Sequence, residues 1–145
     1  MKVEFSAGGV VFKKEGNTFY ILLSQHSQHH GWGFQKGLIG DTKKGETKEE
    51  TALREVKEEG GVMGRIIYSL QPEIYWYVFN GEKVKKTVYY YIMEYVEGDI
   101  SKHDSEMEKV EWIALDAVFD RLTYRADKKI WEEAKEYILH NKMIR

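Results

Sequence analysis

GETKEETALREVKEEGG, residues 45–61, carries six glutamates in a stretch that otherwise reads as a helix. From Thr47 to Glu59 it holds no Gly or Pro, is rich in Glu, Ala, Leu and Lys, and stops at Gly60-Gly61, which predicts a helix with its terminator written after it. At about 100° of rotation per residue, Ala52, Leu53, Val56 and Gly60 fall in one arc, the face expected to pack on a sheet. Glu55, Glu58 and Glu59 fall in the neighbouring arc, because i, i+3 and i+4 share one side of a helix. Three such carboxylates repel one another by roughly a few tenths of a kcal/mol per pair on an open surface. Lys57 points elsewhere and cannot relieve them. A divalent cation such as Mg²⁺ can, since it takes carboxylate oxygens and bridges to phosphates. A plain solvated face is the other reading of the same pattern.

The wider spacing separates the two. Reading outward gives Gly40, five residues, Glu46, seven residues, then Arg54-Glu55-Val56-Lys57-Glu58-Glu59-Gly60-Gly61-Val62. This segment, residues 40–62, resembles the Nudix box, G-x5-E-x7-R-E-U-x-E-E-x-G-U with U aliphatic, at every fixed position. The resemblance implies an α/β/α sandwich around a central mixed β-sheet, a loop–helix–loop at the box, and hydrolysis of a nucleoside diphosphate linked to another group with Mg²⁺ or Mn²⁺. By position, Glu55, Glu58 and Glu59 resemble the family's metal ligands, and Arg54 with Glu46 resembles the internal pair that fixes the loop. One departure stands out. Many relatives read F-P-K-G-x-x-E-x-G-E, where this chain reads FQKGLIGDTKKGE, so Gln35 replaces the usual Pro and three extra residues follow Lys36-Gly37. Gly40 satisfies the box spacing, while Gly37 is the better match to the glycine at the strand end.

The flanks read as one α/β (α+β) domain over residues 1–145. VEFSAGGVVFK (3–13) and TFYILLS (18–24) predict a hairpin across KEGN. SQHSQHHG (24–31) predicts a loop and WGFQKG (32–37) a short strand. RIIYSLQPEIYWYVF (65–79) and VKKTVYYYIMEYV (84–96) flank Asn80-Gly81, a hairpin signal. GDISKHDSEME (98–108) predicts a polar loop and VEWIAL (110–115) a strand. Asp116 is expected to cap a short helix through Leu122, and Asp127 a last one to about His140, with Ile130, Trp131, Ala134, Tyr137 and Ile138 on its buried face.

The bulk numbers exclude several classes. The 145 residues suit one domain with a real core, and 42% hydrophobic with 32% charged residues is globular composition. A formal net charge of −2 lacks the basic excess of a duplex binder. No apolar run approaches the roughly 18–20 residues of a membrane span, the start MKVEFSAGGVVF has no signal-peptide pattern, and no cysteine is present. A cytoplasmic protein acting on a small-molecule nucleotide is expected, with nucleic acid and membrane disfavoured and the oligomeric state open.

Outside the box, SAGGVVF, PEIYWYVFNGEKVKKTVYYYIMEY and Trp112 are similar to the diadenosine polyphosphate hydrolase branch. There a loop Glu six residues before an aromatic recurs as an extra metal ligand or base, which points to Glu106 before Trp112. Glu106 is preferred to Glu108 and Glu111, because alternation turns Glu111 to solvent. Alternation also puts Tyr75 and Tyr77 on one face and Trp76 on the other. Most of these aromatics are β-formers that pack, yet one Tyr can stack on adenine. Tyr77 and Tyr89 are the candidates, with Lys36, Gly37 and Lys86 for phosphate, while His26, His29 and His30 read as solvated loop. The leading expectation is a dinucleoside polyphosphate hydrolase. The alternatives are a (d)NTP pyrophosphohydrolase that cleanses the nucleotide pool, an RNA 5′ pyrophosphohydrolase, or a non-enzymatic nucleotide-binding regulator.

Overall fold

Ser6 to Phe12 is buried without interruption, as in a strand covered on both faces, and the sheet is built around it. The structure is a computed structural model that describes residues 1–40 and 43–141. Strand β1 (Lys2–Glu15) turns into β2 (Thr18–His26) as an antiparallel hairpin. On the same edge β1 takes β4 (Gln35–Leu38), and its other edge runs parallel to β7 (Glu82–Gly98) from Lys2↔Val84 to Phe12↔Glu94. The far edge of β7 is shared by β5 (Val62–Ser69) and β6 (Glu73–Phe79), while β2 takes β3 (Trp32–Gly33) and β8 (Met107–Ala114). Among the described residues β1–β7 is the parallel pair and the others are antiparallel, so the sheet is mixed, as expected.

Two stretches that read as single strands are divided. Residues 65–79 break at Leu70-Gln71-Pro72, because Pro72 has no N–H for a ladder. The Leu70 N–H goes instead to the Tyr90 carbonyl at 3.0 Å and that of Gln71 to the Glu133 carboxylate at 3.2 Å. Residues 32–37 break at Phe34, because Trp32-Gly33 pair with β2 and the residues after Phe34 pair with β1. At the β6–β7 turn Asn80 and Gly81 both have positive φ, 51° and 76°, the pattern of a type I′ hairpin.

Helix α1 (Lys48–Gly60) lies on one face of the sheet, where Ala52 and Val56 join Ala7, Val11, Leu22 and Met93 in a buried cluster. Thr47 caps it with a complete capping box to Glu50. Gly61 ends it in the left-handed region at φ 77°, and a Cβ there would overlap the Asp99 carbonyl oxygen. Leu53, expected on the packed face, is instead 37% exposed. The buried stripe is Thr51, Ala52, Glu55, Val56, Glu59 and Gly60, so the helix is rolled to carry two glutamates toward the sheet.

The short α2 (Val118–Arg121) and α3 (Arg125–His140) follow β8, and α3 covers the other face, with Ile130, Trp131, Ala134 and Ile138 packed on Val10, Phe12, Leu23, Tyr90 and Ile92. The result is the α/β/α sandwich. Neither aspartate expected to cap a helix does so. Asp116 lies inside the turn Leu115–Ala117 and the cap of α2 makes no side-chain bond. Helix α3 begins two residues before Asp127, with Tyr124 as its N-cap, and Asp127 is turned inward and buried. Among the described residues no helix is long and apolar enough to cross a membrane.

Replacing Thr47 by Ala removes the half of the capping box in which its hydroxyl accepts from the Glu50 N–H, and a destabilisation of about 1 kcal/mol is expected. Urea unfolding at neutral pH measures it, with Thr47→Ser retaining most of the stability.

Candidate active site

The buried glutamates of α1 meet strand β4. The Lys36 backbone N–H donates to Glu59 Oε1 at 3.1 Å. One residue on, a Cβ at Gly37 would overlap the Glu55 carboxylate. Gly37 is therefore the glycine that the site requires. Gly40, at the box position by count, makes a turn at φ 77° and crowds no carboxylate. The path of the longer loop past Gly40, through Asp41 and Thr42, lies outside the described residues. Gln35, in the place of the usual Pro, is fully buried and ties the site together. Its Nε2 donates to the Leu22 carbonyl at 3.2 Å and to Ser24 Oγ at 2.8 Å, and Ser24 Oγ donates to the Glu59 carbonyl at 3.0 Å.

Arg54 does more than pair with Glu46. Its Nε and Nη2 clamp Glu46 at 2.8 and 2.9 Å, and Thr51 Oγ1 adds a bond to the same carboxylate at 2.7 Å. Its Nη1 also reaches Glu55 Oε2 at 3.0 Å and Glu58 Oε2 at 2.9 Å. The repulsion between Glu55 and Glu58 is thus met within the helix by Arg54, which the helical-wheel reading had not placed there. The Arg54 hydrogen bonds hold Glu46 down at about 2, against the penalty of burial. Glu59 goes the other way. Burial, with the negative charge of Glu55, Glu106 and Asp104 adding to it, pushes its carboxyl up to about 9 despite the Lys36 N–H.

Glu59 opens onto a cleft of about 550 Å³ that Lys36 and Glu106 also line. Glu106 stands 3.5 Å from His26 Nε2. His26 and His29, expected as solvated loop, form a stacked pair at 4.2 Å on the wall of this cleft, and His29 Nδ1 is 2.8 Å from the Tyr124 hydroxyl. Of the other acids weighed, Glu108 stands by His30 at 3.3 Å and Glu111 is bonded by Arg121 at 3.2 Å. Lys86 is on the same sheet face as Lys36. Burial and the Lys36 charge lower its pKa, and its Nζ is 3.8 Å from Glu4. The Tyr77 hydroxyl donates to Glu4, and that bond pushes the phenol up to about 12.

Tyr77 is therefore tied to Glu4, and the tyrosine of β6 that lines the cleft is Tyr75, paired in register with Lys86. Tyr89 is brought to the opposite face, beneath Lys48 at 4.4 Å, because alternation along β7 separates it from Lys86, Val88 and Tyr90. Phe34, Tyr90 and Asp127 complete the floor of the cleft. Nothing in their local sequence singles them out, since each resembles a core residue or a helix cap.

Among the described residues no three His, Asp or Glu side chains converge as a metal site. The donor chemistry still suits a hard divalent cation, because the candidate ligands Glu55, Glu58, Glu59 and Glu106 are all carboxylates. Glu59 is also a buried acid whose charge is unfavourable without a positive partner.

A mixed sheet between helices, with a glutamate-rich helix docked beside a cleft, defines an α/β/α sandwich with an acidic candidate site. The chain matches the NUDIX domain over residues 3–138 and belongs to that family. It is 38% identical over 107 residues to a putative mutator protein, MutT4, of Mycobacterium tuberculosis, covering 74% of this chain but 42% of that protein. It is 27% identical over 128 residues to the asymmetrical bis(5′-nucleosyl)-tetraphosphatase of Rattus norvegicus, covering 87% of this chain and 85% of that one. In structure it is similar to a binary complex of a C. elegans Ap4A hydrolase, with a TM-score of 0.65 at 20% identity over 94% of this chain and 98% of the other, a likeness of fold.

Two outcomes are expected. Gly37→Ala should leave the melting temperature close to wild type, because only the end of the Glu55 side chain has to move, yet lower kcat/KM by about 10²-fold, the scale of a 1 Å displacement. Steady-state kinetics beside a thermal melt separates the two. Glu46, with its folded pKa below the unfolded one, contributes stability above the ordinary carboxylate range that is lost as pH falls toward about 2. Glu46→Gln should flatten that acid limb in denaturation measured from pH 5 to pH 2.

Proposed function

We propose that this Nudix hydrolase cleaves a phosphoanhydride bond of a dinucleoside polyphosphate, such as diadenosine tetraphosphate, with Mg²⁺ or Mn²⁺. The observation that carries the reading is what one cleft brings together. The carboxylates Glu59 and Glu106 line it with Lys36 and with the aromatic side chains of Tyr75, Phe34 and Tyr90, and Lys86 lies on the same sheet face as Lys36. Those are the groups a metal-bound polyphosphate joined to a base would need. An alignment at 27% identity that spans 85% of the rat tetraphosphatase supports it.

Glu55, Glu58 and Glu59 would hold the cation, with Glu106 facing them. Bound there, it would neutralise phosphate charge and lower the pKa of a water. The side chains supply the rest. Lys36 and Lys86 position the phosphates, and the Arg54–Glu46 clamp fixes the helix that carries the acids. Water adds to a phosphorus, the bridging P–O bond breaks, and a carboxylate of the cleft takes the proton that water gives up. The products are ATP or ADP and the remaining nucleotide.

A second reading, a (d)NTP pyrophosphohydrolase giving a nucleoside monophosphate and pyrophosphate, is favoured by the 38% identity to the mutator-type protein. A Mg²⁺-dependent panel resolved by anion exchange decides between them, with diadenosine tetra- and hexaphosphate, dNTPs, oxidised dGTP and ADP-ribose as substrates. Preference for the diadenosine substrates, reduced by about 10²-fold or more in Glu59→Gln, is expected. Preference for a mononucleotide moves the chain to the second reading, and binding without turnover of any substrate refutes both.

A further inference from the structure

Strand β6 is an edge of the sheet. Among the described residues it pairs with β7 alone, in register from Glu73↔Val88 to Phe79↔Glu82. Phe79 and Glu82 flank the Asn80-Gly81 turn, so they exchange both backbone hydrogen bonds, and alternation turns the N–H and C=O of Tyr77, Tyr75 and Glu73 toward β7 as well. Those of Ile74, Trp76 and Val78 point off the open edge. Such edges are normally closed by a lysine, a proline or a bulge. Here residues 74–79 carry no charge, Pro72 stands before the strand, and the ladder with β7 runs without a register shift. The side chains are open too, with Trp76 48% and Val78 69% exposed beside exposed Ile74 and Phe79. Lys83 and Lys85 lie over the Trp76 ring at 4.7 and 5.9 Å, but they come from β7, on the inner side.

We propose that a second copy of this chain docks on that edge, β6 against β6 and antiparallel about Trp76, to give a twofold dimer with one continuous sheet. The strand reads Ile74-Tyr75-Trp76-Tyr77-Val78, nearly the same in either direction. A twofold contact needs that property, because a residue that meets another is met by it in return. About Trp76 the pairs are Ile74 with Val78, Tyr75 with Tyr77 and Trp76 with itself, β-formers at every step. The backbone fits the same register. Ile74, Trp76 and Val78 face one another across the axis, so each outward N–H and C=O between them meets a partner. A shift by one residue sets outward groups against groups already committed to β7. Closing residues 74–79 on their own copies hides on the order of 1,000 Å² in total, the lower bound for a specific interface, so the dimer is expected to depend on concentration. The axis stands perpendicular to the sheet and keeps each face on its own side. Both clefts then open on one side, where Tyr77 of the second copy stands across from Tyr75 of the cleft wall.

Sedimentation equilibrium and backbone amide exchange on the full chain test it. Wild type should pass from monomer to dimer as its concentration rises through the micromolar range. Over that range the Ile74, Trp76 and Val78 amides should gain protection, while those of Tyr75 and Tyr77, bonded to β7, stay protected throughout. Ile74→Lys and Val78→Glu, each alone, should raise the dimer dissociation constant at least about tenfold, because each change enters the interface twice. Combined in one chain they set opposite charges across both outer pairs and should restore most of the affinity. Both positions are exposed, and a thermal melt in dilute solution checks that the variants fold.

A chain that stays monomeric across that range overturns the proposal, and so does assembly beyond a dimer. A dimer indifferent to both single changes, or not recovered by the combined variant, has its contact elsewhere and overturns it equally. So does a dimer whose Ile74, Trp76 and Val78 amides exchange at the monomer's rate. The amide pattern is read on wild type, so it decides even where a charged variant fails to fold. None of these readouts involves turnover, and the dimer and the hydrolase reading stand or fall separately.

Discussion

Packing a helix on a sheet through two of its glutamates is the constraint around which this molecule is arranged. Glu55 and Glu59 are 6% and 7% exposed, and buried carboxylates are tolerated only with partners. Each finds one on a different element. Glu55 rests against the bare Cα of Gly37 and takes an Arg54 N–H, and Glu59 takes the Lys36 N–H. Strand β4 presents a bare Cα at Gly37 and is anchored through Gln35 to β2, and that geometry admits both acids. The roll of α1 that brings them inward is also what turns Leu53 out to solvent.

The same constraint explains the asymmetry of the sheet's two faces. On the α1 side the core includes Ala7, Ala52, Val56 and Met93 beside the larger Leu22 and Tyr91. On the α3 side it is large and aromatic, with Phe34, Tyr90 and Trp131, and the opening left among them becomes the cleft. One face holds the acids at a fixed height, and the other shapes what lies in front of them.

How much of this was legible in the sequence follows from how local each feature is. The helix of the box, its Gly stop and the Asn-Gly turn are set by neighbours within a few residues, and they stand where they were expected. So do the mixed sheet and the two helical layers. Details that depend on partners far along the chain were not legible. Leu53 and Glu55 differ in burial because of where β4 lies, not because of anything in the helix. Tyr75 and Tyr77 look alike by alternation, and only the register with Lys86 and the reach of Glu4 tells them apart. Asp127 has the form of a helix cap, because a cap and a first-turn acid turned inward differ by two residues of helix start. His26 and His29 have no periodicity at all, and it is Tyr124, near the other end of the chain, that places them.

Arg54 has a consequence for when this protein becomes folded. In small domains built around a metal, ion binding and folding are one event, because the ligands cannot be brought together without it. Here one guanidinium with bonds to Glu46, Glu55 and Glu58 already occupies the place of the counter-charge. The chain carries its own provisional cation. Assembly of the helix is therefore separable from the loading of any ion the proposed site takes, and the fold should survive a chelator.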